Sequence, residues 1–103
     1  MSSTVYLNGE YVPYAEAKIP VEDRAFLFAD GIYEVVRVYG GRPFDLEPHL
    51  ERLARSAREL RLSAPDTGEL IRVTHELIQR NGLGEGTVYY QVTRGVHAPR
   101  AHA

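Results

Sequence analysis

Phe26-Leu27-Phe28-Ala29-Asp30-Gly31-Ile32-Tyr33-Glu34-Val35-Val36-Arg37-Val38-Tyr39 decides how this chain folds. An aromatic-rich turn closed by Asp30-Gly31 feeds a β-branched run that alternates with period two, the pattern of a strand whose two faces differ. Ile32, Glu34, Val36 and Val38 share one face, which is apolar except for Glu34. Tyr33, Val35, Arg37 and Tyr39 share the other, a mixture of phenol, guanidinium and small apolar groups. Such a face suits the wall of a polar pocket better than a core, although for the strand taken by itself the wet side of an edge strand is the favoured reading. The apolar face requires a covering layer, and a carboxylate within it requires a partner, since an unpaired buried charge is costly.

Outward from this strand the chain reads as one domain of 103 residues, long enough for a single two-layer core. Upstream, Asn8-Gly9 between Val5-Tyr6-Leu7 and Glu10-Tyr11-Val12 predicts a tight hairpin. Pro13 ends it, and Asp23 is placed to cap a short apolar turn of helix at Ala25-Phe26-Leu27-Phe28. Downstream, Gly40-Gly41 predicts a second turn, with Arg42-Pro43-Phe44 folding back as a short edge strand. From Glu47 to Leu62 the period changes, and Leu50, Leu53, Ala54, Ala57 and Leu60 form a helical stripe. Asp66-Thr67-Gly68-Glu69 has the spacing of a capping box, and it opens a second helix striped by Leu70, Ile71, Thr74, Leu77 and Ile78. Asn81-Gly82 ends that helix. Gly86 to Gly95 returns to strand, with Val88, Tyr90 and Val92 opposite Tyr89, Gln91 and Thr93. The expected fold class is α+β, an antiparallel β-sheet with two α-helices packed on one face. The other face has nothing from this chain to cover it, so a second domain or subunit is expected there.

Composition narrows the function classes. A net charge of −2 gives no electrostatic case for nucleic acid. The chain has no cysteine, no signal-peptide pattern and no apolar run of membrane-spanning length, which leaves a cytoplasmic protein with no membrane role as the expectation. The four histidines lack metal-ligand spacing, so no metal site is expected; no serine sits in a nucleophile elbow, and no phosphate loop precedes a helix. Eleven of the twelve basic residues are arginine, leaving Lys18 as the only lysine. Arg52, Arg55, Arg58 and Arg61 recur every third residue as a solvated face diluted by Glu51 and Glu59. Arg52 is the exception: with His49 it falls in the first turns of the helix, where both could reach one anion at the positive end of the macrodipole.

The ordered blocks Asp23-Arg24-Ala25-Phe26, Phe28 to Tyr39, His49-Leu50-Glu51-Arg52-Leu53, Tyr89 to Gly95 and Pro99-Arg100-Ala101-His102 together resemble class IV pyridoxal-phosphate aminotransferases, most of all those acting on D-amino acids. The resemblance covers the whole chain. It implies that residues 1–103 are the smaller, N-terminal domain of a two-domain homodimeric enzyme. It also implies that Arg52 grips the phosphate of pyridoxal 5′-phosphate with His49 in support. Tyr33, Val35 and Arg37 would line the active site from the sheet, and Arg100 and His102 would join Tyr33 in holding the substrate carboxylate. The substrates would be an amino acid and a 2-oxo acid. The Schiff-base lysine and the carboxylate partner of the pyridine nitrogen lie in a C-terminal domain this chain does not contain, so no catalytic residue is assigned here and the chain is expected to be inactive alone. Lys18 matches neither.

Besides the missing lysine and carboxylate, two features depart from the pattern. Ala25 and Ala29 stand where glycines are common, and Val96-His97-Ala98 lengthens the tail by one residue. The ending after His102 reads as truncation of a longer protein. Two alternatives remain open: a branched-chain L-amino acid aminotransferase or aminodeoxychorismate lyase of the same family, and a non-catalytic domain that binds a partner through its uncovered sheet face.

Overall fold

A computed structural model describes residues 3–19 and 31–94. Strands β1 (Thr4–Leu7) and β2 (Glu10–Pro13) form the expected hairpin. Asn8 and Gly9 both take positive φ, at 51° and 88°, which matches the twist of the two strands. A 3-10 turn, Tyr14–Glu16, follows. Strand β3 (Gly31–Tyr39) is the central strand of a three-stranded antiparallel sheet, flanked by β4 (Arg42–Pro43) and β5 (Gly86–Thr93). β5 pairs along β3 from Gly31↔Thr93 to Val38↔Gly86, whereas β4 pairs only with Val38 and Tyr39. Pro43 therefore lies on an edge, where its missing N–H costs no ladder bond.

Helices α1 (Leu46–Glu59) and α2 (Thr67–Asn81) supply the covering layer. Val36 and Val38 are fully buried with Leu50, Leu53, Leu70, Ile78, Val88 and Tyr90 in one core, so the expected alternation along both long strands holds. Tyr33, Arg37 and Tyr39 are exposed, on the face away from the helices. The fold is α+β as expected, with one refinement: the hairpin is a separate two-stranded sheet. It docks on α2 instead. The Asn81 side chain accepts from the Thr4 N–H at 2.8 Å and donates to the Thr4 carbonyl at 3.0 Å, imitating a strand partner, and the Tyr6 phenol donates to Glu69 at 2.8 Å. Arg80 lies 4.2 Å above the Tyr11 ring.

Asp66 caps α2 by accepting from the Gly68 N–H at 3.0 Å, as its position predicts. Glu69, the other half of the anticipated box, turns instead to Tyr6. The stripe expected on α1 fails at its end. The helix stops at Glu59, Leu60 is exposed, and Arg61 takes a left-handed φ of 56° so that Leu62 turns back into the core, its N–H donating to the Ala57 carbonyl at 2.8 Å. The turn of helix at residues 25–28, its cap Asp23, and Ala25 and Ala29 lie outside the described residues. No helix among the described residues is long and apolar enough to cross a membrane.

Candidate functional site

The first group of functional candidates forms around Glu34, the one carboxylate on the helix-facing side of β3. Its side chain is 8% exposed. Two residues one helical turn apart on α1 reach it across the layer. Arg52 Nε donates to Glu34 Oε2 at 2.9 Å and Arg52 Nη2 donates to Oε1 at 2.7 Å, a two-point fork, and His49 Nδ1 lies 3.0 Å from Oε1. The Arg52 guanidinium holds the Glu34 carboxyl at about 2, against burial, which pushes the other way, and with help from the His49 hydrogen bond.

An ionised carboxylate only accepts, so His49 carries its proton on Nδ1 and donates it to Glu34. The 3.4 Å approach of Arg52 Nη2 to the same nitrogen is then a meeting of two donors rather than a bond. This tautomer leaves His49 Nε2 free of the Glu34 contact. Arg52 likewise spends only its Nε–Nη2 edge on Glu34. Its side chain is 58% exposed, and the Nη1–Nη2 edge is the part of the planar fork available to an external anion.

Sequence spacing alone pairs His49 with Arg52, but it does not name Glu34 as their shared partner. The available signal is the isolation of Glu34 on an apolar strand face, which requires a partner without identifying one. Arg52 is also joined to the core through this bond, whereas the other arginines of the α1 stripe, Arg55 and Arg58, are exposed.

The second group lies across the sheet. Tyr33 is 67% exposed and stacks on Tyr89 of β5, ring centroids 5.9 Å apart at 15°. Val35 is exposed beside them, and Arg37 lies 5.2 Å over the Tyr39 ring. Together they make an aromatic wall with one guanidinium. The two groups thus occupy opposite faces of one strand, with Glu34 between Tyr33 and Val35 in sequence and turned the other way. Arg100 and His102, expected to complete a carboxylate site with Tyr33, lie outside the described residues. Lys18 is exposed.

Arg94, part of a motif block at the end of β5, is engaged elsewhere: its guanidinium donates to the Leu60 and Arg61 carbonyls at 2.5 and 3.1 Å, closing the C-terminus of α1. Among the described residues, no group of three or more His, Asp or Glu side chains could hold a metal ion.

The family model for amino-transferase class IV matches residues 31–102. A D-alanine aminotransferase of Staphylococcus haemolyticus is 47% identical over 100 residues, covering 96% of this chain and 35% of that protein. Among solved structures, the branched-chain aminotransferase from the archaeon Thermoproteus uzoniensis with norvaline superposes with a TM-score of 0.77 at 32% identity, over 88% of this chain and 32% of that one. A 4-amino-4-deoxychorismate lyase from Pseudomonas aeruginosa superposes with a TM-score of 0.69 at 34% identity, over 79% of this chain and 29% of the other. The chain spans about a third of the length of the curated relative it matches.

Proposed function

The chain belongs to the class IV aminotransferases, and from that membership we propose that it is the N-terminal domain of a pyridoxal-phosphate enzyme that moves the amino group of a D-amino acid to a 2-oxo acid, inactive without a lysine-bearing C-terminal domain. The observation that carries the cofactor assignment is the half-exposed Arg52 guanidinium, anchored on one edge and open on the other. A dianionic phosphate fits that donor set: two parallel N–H groups from a planar fork, with an imidazole one turn away. When bound, pyridoxal phosphate supplies the electron sink for amino-group transfer.

The residues of this chain would bind and orient. Arg52 would hold the phosphate, with His49 beside it. On the other face, the stacked Tyr33 and Tyr89 rings with Val35 and Arg37 would form one wall of the substrate pocket. Tyr33 would share the substrate carboxylate with Arg100 and His102, whose assignment rests on the family resemblance. The enzyme would act as a homodimer.

D-amino acid preference is favoured over the branched-chain reading by the D-alanine aminotransferase relatives, at 41–47% identity over nearly the whole chain. Structural superposition alone does not select an activity, because a branched-chain aminotransferase and a 4-amino-4-deoxychorismate lyase both share this fold. The test is amino transfer by the chain carried in a polypeptide of its relatives' length. Transfer from D-alanine should exceed transfer from L-leucine to the same 2-oxo acid. Preference for L-leucine, or release of an acid without amino transfer, overturns the reading.

A further inference from the structure

We infer that Glu34 is a positioning residue: its carboxylate grips the Nε–Nη2 edge of Arg52 and so fixes the guanidinium plane with the Nη1–Nη2 edge turned outward to a phosphate. This rests on the proposed phosphate site and adds a residue to it.

The charge of Glu34 argues against a purely electrostatic purpose. A carboxylate beside a phosphate site repels the ligand, and it also cancels the cation meant to attract it. A site that needed only positive charge would bind better without it. What Glu34 supplies is geometry. Arginine is a long side chain with many rotamers, and one that is 58% exposed would otherwise sample them in solvent. The fork removes that freedom, because both of its bonds are short, at 2.9 and 2.7 Å, and lie in the plane that must be fixed.

The carboxylate is itself held. It is 8% exposed, it stands on the central strand of the sheet, and it accepts a third bond from His49 Nδ1 at 3.0 Å. The chain of constraint runs from a rigid strand, through a nearly buried carboxylate, to a half-exposed guanidinium. Preorganisation of this kind raises affinity by lowering the ordering cost at binding.

The sign of one substitution separates geometry from charge. Glu34→Gln removes the repelling charge and keeps the side-chain shape, but its amide offers a single acceptor and its NH2 meets the Arg52 donors. In the 103-residue chain, 15N-detected titration with inorganic phosphate gives the affinity, read at the Arg52 side chain where it is present and at the backbone amides of α1 in every variant. Circular dichroism reports whether each variant folds. Wild type should show a resolved Arg52 Nε–Hε resonance that moves on titration, and Glu34→Gln should weaken phosphate binding about tenfold although the site has become more positive. In an Arg52→Ala background, Glu34→Gln should change phosphate affinity less than about twofold, because its effect runs through Arg52.

Unchanged or tighter binding by Glu34→Gln overturns the inference and leaves the phosphate site standing. An equal loss in the Arg52→Ala background overturns it too, since Glu34 would then act through the fold. No phosphate-dependent movement at Arg52 in wild type overturns the phosphate site and the inference together. Should Glu34→Gln not fold, Glu34→Asp carries the same decision. It keeps the charge and loses the reach, so weakened binding supports positioning and unchanged binding overturns it.

Discussion

At the residue scale, the Glu34–Arg52–His49 group is both an element of stability and the candidate anion site, and the two roles respond differently to pH and mutation. The Glu34 carboxyl is depressed to about 2 in the folded chain, below the roughly 4.3 of an unperturbed glutamate. Its stabilisation is therefore fully present above about pH 4.3 and is lost as pH falls towards 2. Arg52 is half-exposed, so solvent screens the pair, and the expected loss is about 1–2 kcal/mol rather than the full value of the shift. Urea midpoints of wild type and Glu34→Gln should diverge above about pH 4.3 and converge near about pH 2; parallel curves would show that the pair adds nothing to stability. On the proposed assignment, Arg52→Ala in a polypeptide of its relatives' length should weaken pyridoxal-phosphate affinity roughly ten- to a hundredfold, measured by fluorescence titration, and Arg52→Lys should restore part of it because charge returns without the planar fork.

At the scale of elements, α2 joins the hairpin to the sheet through contacts that periodicity does not describe. Thr74 is fully buried on α2 and donates its single hydroxyl hydrogen to the Leu70 carbonyl at 2.7 Å. Tyr90 of β5 must therefore be the donor in the 2.5 Å Tyr90–Thr74 contact. Thr74→Val leaves that phenol buried without an acceptor and should cost about 1–3 kcal/mol. Adding Tyr90→Phe should recover much of the loss, because removing both partners is cheaper than orphaning one. Denaturant midpoints of the four proteins in this cycle measure the recovery; additive losses would show that the hydroxyl pair is not coupled. At the end of α2, Gly82 takes a left-handed φ of 56° with open space around its missing Cβ. Gly82→Ala should therefore cost about 1 kcal/mol through backbone conformation alone, read as a lowered melting temperature.

At the scale of the whole molecule, one face of the three-stranded sheet is covered by helices and the other exposes Tyr33, Val35, Tyr39 and Tyr89. The chain should consequently self-associate, with sedimentation mass rising with concentration and falling when Tyr33 and Tyr89 are replaced by serine; a monomer that ignores both changes would count against an interface on this face. The sequence by itself determined the period-two faces of β3 and β5, the two helices, the Asn8-Gly9 turn, the Asp66 cap and the exposure of Tyr33 and Arg37. Each of these follows from local backbone preference and from the partition of neighbouring side chains between water and core. Tertiary structure alone decided that Leu62 rather than Leu60 closes α1, that the hairpin docks on α2 through Asn81, and that Glu34 takes Arg52 and His49 as partners. Those outcomes depend on distances between elements: Glu34 and Arg52 are 18 positions apart, and only the packing of α1 on β3 brings a guanidinium to the carboxylate that the strand had buried.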